Sequence, residues 1–321
     1  MLDKLLAACT LSLAALATPT VQAQAWPSKP IRLVVPYSAG GPTDLIARLV
    51  ARPVGAALHQ PVVVENKAGA GGTIGLADVV RSAPDGYSFG LAAPGPLAGM
   101  PHLMKMAYNM DDIDYLTVVA RIPSVIVASK EAKVSSLPDL IKAAKAEPGK
   151  LNYGSAGPGT TPHIGFELLK QQAGIEVMHV PYKGAAPAVA ALLGGEVQFA
   201  MVDLLPVLPH VQAGRLKVLA VASDSRAPQM PDVPTTVELG LPGVRMDTLY
   251  GVVAPKGLPA DIRERVRDAV VGAVESPELK KQLLDQGAVS MTTTPAEYRN
   301  LMQAESDKWR DVVGKGRITL E

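Results

Sequence analysis

Cysteine is all but missing from this chain of 321 residues: Cys9 is the single one, and it lies in an apolar N-terminal stretch. Once that stretch is removed, no disulfide and no thiol chemistry is left. Aromatic residues make up only 4% of the sequence, which disfavours a carbohydrate ligand held by stacked rings. No sign of charge dominates. Lysine and arginine number 31 against 30 aspartates and glutamates, and no basic tract stands out. That argues against a nucleic-acid partner, whose phosphates call for concentrated positive charge. Beyond residue 25 no apolar run reaches the roughly 20 residues of a membrane span.

Catalytic and nucleotide motifs are missing as well. No G-x-G-x-x-G opens a helix after a strand, and no Gly-Lys-Ser/Thr closes a phosphate loop. The chain has no G-x-S-x-G elbow and no H-E-x-x-H. His59, His102, His163, His179 and His210 match no zinc spacing, so neither a metal nor another cofactor is expected. Ser38 and Ser155 lie in Gly-rich loops, but no base is evident beside them in the sequence.

What the chain does have begins with a leader. Lys4 precedes the apolar run Leu5–Ala17, then Pro19 and small residues up to Ala25. This is the pattern of a secretory signal peptide over residues 1–25, cut near Gln24 or Trp26. Leu6-Ala7-Ala8-Cys9 resembles a lipoprotein box, but the apolar run continues past it. The chain should therefore be exported to the periplasm rather than lipidated.

Short β-branched runs then alternate with helical periodicity. Strands are expected at Ile31–Val35, Val62–Glu65, Tyr87–Ala92, Leu116–Ala120, Val125–Ser129, Val177–Val180, Val197–Val202 and Lys217–Ala222, with another opening at Leu151. Helices are expected at about 43–58, 73–82 and 185–193. Thr161 reads as an N-cap with Pro162 following and Gly174 as terminator. Ser136, Ser276 and Thr294 open further helices, the last as a Thr-Pro-Ala-Glu capping box. Such alternation implies an α/β fold with mainly parallel sheets flanked by helices.

Three long, uncharged, Gly-rich loops interrupt this pattern: 36–43, 66–73 (uncharged but for Lys67) and 154–161. The first and third each join the end of a strand to a helix start. Such loops offer backbone N–H groups and the positive end of a helix dipole to an anion. Two of them on two lobes could face one another across a cleft.

The motifs that fill this frame resemble a known family. WPSKPIRLVVPYSAGGPTDLIARLVA, VVVENKAGAGGTIG, DGYSFGLA, LNYGSAGPGTTPH, HVPYKGAAPAVAALLGGEVQFAMVD and GRLKVLAVASDSRAPQMPDVPTTVELGLPG are similar, in order and spacing, to Bug-type extracytoplasmic solute-binding receptors of tripartite tricarboxylate transporters. The resemblance spans essentially the whole mature chain. It implies a two-lobed periplasmic-binding-protein (flytrap) fold. Lobe 1 would be residues 26–124 plus 250–321 and lobe 2 residues 125–249. Crossings would fall near Arg121–Val125 and Thr248–Val252.

The same resemblance implies a small carboxylate ligand (a mono-, di- or tricarboxylate, or an aromatic acid), held by backbone groups and waters and delivered to membrane permease subunits by a monomer. The ligand-binding residues it implies are Tyr37, Ser38, Ala39, Gly40, Gly41, Pro42, Thr43 and Asp44 in the first loop, with Gly72 and Thr73 beside them. In the facing lobe they are Ser155, Ala156, Gly157, Gly159, Thr160, Thr161, His163, Tyr182, Gly184 and Asp203. Thr73 stands where Asn is more common, and Ala93-Pro94-Gly95-Pro96-Leu97 is proline-rich where relatives carry serine. A ligand-sensing receptor for a signalling partner is the alternative function. A secreted α/β hydrolase is a weaker one, for want of a nucleophile elbow.

Overall fold

The computed structural model describes residues 26–316 and Ile318; the expected leader lies outside them. The chain forms two sheets that share one strand. In the first sheet, β1 (Ile31–Val35) pairs in parallel with β2 (Val62–Asn66) and β3 (Ser88–Ala92). In the second, β5 (Asn152–Ser155) pairs in parallel with β6 (Met178–Pro181) and β7 (Phe199–Asp203). Between these outer parts run two long strands, β4 (Ile113–Ala128) and β9 (Asp247–Pro255). β9 is antiparallel to both β3 and β4. β8 (Lys217–Val221) and the short β10 (Val289–Ser290) pair antiparallel with β4.

The two-lobed α/β architecture is thus present, with the expected parallel pairing at the outer strands of each sheet and an antiparallel centre. The centre is antiparallel because β4 and β9 carry the chain in opposite senses. The two strands expected at 116–120 and 125–129 are one strand of 16 residues. Pro123 does not break it. Its missing N–H falls where β4 changes partners: Pro123 is the last residue opposite β9, and Ser124 the first opposite β7. β9 itself gives only a weak strand signal. Gly251 interrupts its apolar run, and a Cβ there would collide with the Tyr298 ring.

Helices cover both sheets. α1 (Pro42–Leu58) and α2 (Thr73–Val80) follow β1 and β2. α3 (Leu137–Ala146), α4 (Thr161–Ala173), α5 (Ala185–Leu193) and α6 (Leu204–Gln212) belong to the middle of the chain. α7 (Ala260–Glu275) buries the Ile262, Val266, Val270, Val274 stripe expected from its spacing of four. α8 (Pro277–Asp285) is capped by Ser276, and the Thr294–Glu297 box opens α9 (Pro295–Gly316), with both reciprocal bonds made.

α9 reaches across the molecule. Its first half packs Tyr298 and Met302 among Val34, Tyr115 and Val253 of the first sheet and Leu76 of α2. Its second half puts Trp309 and Val312 into the core of Tyr153, Phe166 and Leu169 around the second. The Gln171 side chain donates to the Val312 carbonyl at 3.2 Å, and His102 Nε2 meets Ser306 Oγ at 2.8 Å. The Trp309 ring also lies directly on Gly99, where no Cβ fits. Trp309 is fully buried. Its replacement by alanine is expected to cost about 3–5 kcal/mol of stability, measured by urea denaturation, with both sheets losing structure together.

Candidate ligand-binding site

The first Gly-rich loop follows β1, a strand that is β-branched or leucine but for Arg32 and stops before Pro36. Gly41 N-caps α1 in extended backbone, and Pro42 supplies the first helical residue. No side chain bonds the free N–H groups at this helix start. The other loop repeats the arrangement: Thr160 N-caps α4, Pro162 lies in its first turn, and again no side chain caps it. The cap is thus Thr160 rather than the expected Thr161. The Thr160 hydroxyl donates to the Gly157 carbonyl at 2.7 Å instead of serving its helix. α5 and α6 also begin without side-chain caps, after Gly184 and Asp203. Three other helices differ, capped by Ser136, Ser276 and Thr294, whereas α7 starts uncapped after Pro259.

The uncapped N-termini of α1, α4, α5 and α6 meet around one cavity. Its wall contains Tyr37, Gly41, Pro42 and Thr43 from the first loop and Ala156, Thr160, Thr161 and Pro162 from the second. Ala93 and Gly95, Ala185, Asp203, and Thr248 and Tyr250 of β9 complete it. Among the described residues the wall includes no lysine, arginine or histidine. Thr161 is buried, and its hydroxyl has no partner. Ser38 Oγ is also unpaired, at the point where the loop approaches Gly184. The loops touch across the cleft. A Cβ on Gly71 would lie 2.6 Å from the Pro158 carbonyl, so only glycine allows that approach at this left-handed position.

The remaining expected residues stand behind the wall. Asp44 accepts the Gly40 N–H, Arg48 Nε and Asn66 Nδ2, each at 3.0 Å, and Asn66 also donates to the Tyr37 carbonyl. Burial raises the Asp44 carboxyl, but the bonds from Arg48, Gly40 and Asn66 outweigh it and hold the pKa below the usual value. Asp44 therefore braces the loop. Ala39 and Gly40 are exposed at its tip. Tyr37 donates to the Gly71 carbonyl at 3.2 Å, with Gly72 packed on its ring. Thr73 turns its hydroxyl to the Ala70 carbonyl at 2.9 Å. The ring of Tyr182 packs on Gly154.

His163 accepts the Gly159 N–H on Nδ1 at 3.1 Å and stacks on His179, centroids 4.1 Å apart. His179 Nε2 lies 2.7 Å from Ser155 Oγ, which also accepts the Gly157 N–H. Burial, then neighbouring positive charge from Lys170, lowers the His163 pKa to about 4; burial, then His163, lowers that of His179 to about 3. Both rings are therefore neutral at ordinary pH, and they order the second loop from beneath. The Ser155–His179 pair was invisible in the sequence because parallel pairing of β5 and β6 brings residues 24 apart into contact. Thr248 and Tyr250 were missed too, since hydroxyls on a strand form no motif. Among the described residues no cluster of His, Cys, Asp or Glu is arranged to hold a metal.

Among the described residues Asp203 is the one carboxylic acid in the wall. Ser124 Oγ and Thr248 Oγ1 donate to its Oδ1 at 3.3 and 2.6 Å, and Tyr250 donates to Oδ2. Burial is the largest influence and raises the pKa from 3.8 to about 6, against the pull of those three hydroxyls. The folded chain thus holds this proton more tightly than the unfolded chain. Its contribution to stability is present below about pH 4 and lost as pH rises through about 6, a swing of about 3 kcal/mol. Asp203→Asn is therefore expected to raise the melting temperature relative to the parent at pH 7.5 and to lose that advantage at pH 4.5, read by scanning fluorimetry.

Comparison with known proteins gives a consistent result. The family model described as "Tripartite tricarboxylate transporter family receptor" matches residues 46–317. Protein BugT of Bordetella pertussis is 36% identical over 296 residues, covering 91% of each chain. Among solved structures, a Rhodopseudomonas palustris protein with adipate, Rpa4515, is 33% identical with a TM-score of 0.88, covering 92% of this chain and 99% of its own. MatC from the same species, with bound malate, is 31% identical with a TM-score of 0.86, covering 90% of this chain and 100% of its own. The resemblance read from the motifs is borne out by these matches.

Proposed function

Because the chain belongs to the tripartite tricarboxylate transporter receptor family, we propose that it captures a small organic carboxylate between its two lobes and presents it to the membrane subunits of such a transporter. One observation carries the ligand class: four helix N-termini without side-chain caps line a single cavity whose wall holds no cationic side chain. Each such terminus bears about half a positive charge, and its free N–H groups are aimed donors. A carboxylate meets both needs. Adipate and malate in the two similar structures support this class.

Tyr37 to Thr43 and Ser155 to Thr161 form the two lips in this reading. Thr43 and Thr161 offer the donors, and Asp44, Asn66, His163 and His179 hold the lips in shape. Lobe 1 is residues 26–124 plus 250–321, and lobe 2 is residues 125–249, with α9 lying across both. Residues 1–25 are the export signal, the site of action is the periplasm, and the receptor works as a monomer that releases its ligand unchanged. No described helix is long and apolar enough to cross a membrane.

Charge-assisted hydrogen bonds contribute about 1.5–3 kcal/mol each, so a few of them support micromolar binding, about 8 kcal/mol, after association costs. Gly41 lies in ordinary backbone, and a Cβ there meets only the Ser38 carbonyl, at 3.4 Å. Gly41→Glu should leave the melting temperature nearly unchanged and abolish binding in a calorimetric screen of mono-, di- and tricarboxylates. Thr161→Val should weaken the best acid about tenfold to a hundredfold. Retention of full affinity by both variants would place the ligand elsewhere. Gly159 is a poorer probe: it is left-handed, and a side chain there would strike Met100.

A further inference from the structure

We infer that the cavity selects acids with one carboxylate on an uncharged body and discriminates against di- and tricarboxylates of the same length. The inference rests on the reading of this cavity as a carboxylate cleft.

It follows from the charges that surround the cavity. Four helix N-termini bring about +0.5 each, or about +2 together. Asp203 stands at the start of α6 and supplies a full negative charge within the same wall. The surplus left for a ligand is about +1, which one carboxylate consumes. A second carboxylate would be buried with no cationic side chain in the wall to pair with it and with Asp203 as a like-charged neighbour. Asp203 is itself already supplied with donors, from Ser124, Thr248 and Tyr250, so those hydroxyls are committed and do not serve a second acidic group.

The lining away from the lips agrees. Ala93, Gly95, Ala156, Pro162 and Ala185 present methyl, ring and backbone surface. Ala93 and Gly95 come from the proline-rich segment Ala93-Pro94-Gly95-Pro96-Leu97. Apolar contact there rewards a hydrocarbon chain or ring, and a charged end would lose its hydration for nothing in return. This chain would then differ from the two similar proteins solved with adipate and malate, both dicarboxylates.

Matched pairs isolate the charge from the size. The full mature chain, stripped of carried-over ligand, is titrated calorimetrically at pH 7.5 with butyrate and succinate, hexanoate and adipate, octanoate and suberate, and benzoate and terephthalate. The best-fitting monoacid is expected to bind about tenfold or more tighter than its diacid partner. A diacid that binds as tightly as its monoacid, or more tightly, overturns the selectivity and leaves the carboxylate cleft standing. Failure of every acid overturns both. Asp203→Asn, checked for folding by circular dichroism, should narrow the mono-to-diacid ratio several-fold. An unchanged ratio in a folded variant would remove Asp203 from the explanation and overturn the inference. Should that variant not fold, the paired titrations on the parent chain decide the matter alone.

Discussion

A buried carboxylate, Asp203, fixes the geometry on which the cleft depends. It sits where β7 ends and α6 begins, and it draws hydroxyls from both long strands: Ser124 from β4, Thr248 and Tyr250 from β9. These are the strands through which one sheet passes into the other. An isolated buried charge is costly, and three donors only partly offset that cost, which is why burial still dominates its titration. Removing any donor would leave a charge less well satisfied at the centre of the molecule. The carboxylate therefore commits Ser124, Thr248 and Tyr250 to one arrangement, and the floor of the cavity is set before any ligand arrives.

Above that floor the two lips solve the same problem in different ways. The first is held by charge: Asp44, with Arg48 and Asn66, gathers the loop from outside. The second is held by neutral rings, with His163 on the Gly159 amide and His179 on the Ser155 hydroxyl. Each device satisfies polar groups within its own loop and leaves the helix N–H groups uncommitted. Preorganisation of this kind lowers the ordering cost of binding without adding a contact.

Much of this was legible in the sequence, and the limits have physical causes. The Gly-rich lips, Pro42 and Pro162 beside them, and the helix stripes are local patterns, and local patterns survive in a linear reading. The cap at Thr160 rather than Thr161 was missed because two adjacent threonines are equivalent until the Gly157 carbonyl claims one hydroxyl. β9 was hidden by Gly251, whose purpose is to admit the Tyr298 ring from a helix about 50 residues away. The antiparallel centre could not be read either, since strand direction depends on how the chain returns between lobes. Asp203 lines the cavity, but its three hydroxyl partners are 45 to 79 residues distant.

α9 gives the molecule a third connection between its halves. Two neighbouring strands alone would let the lobes both bend and twist. A rod anchored by Tyr298 and Met302 at one end and by Trp309 and Val312 at the other resists the twist and leaves the bend. The two Gly-rich loops are thereby held in one register, and backbone N–H groups, which cannot swing as a lysine side chain could, depend on that register to converge on one point.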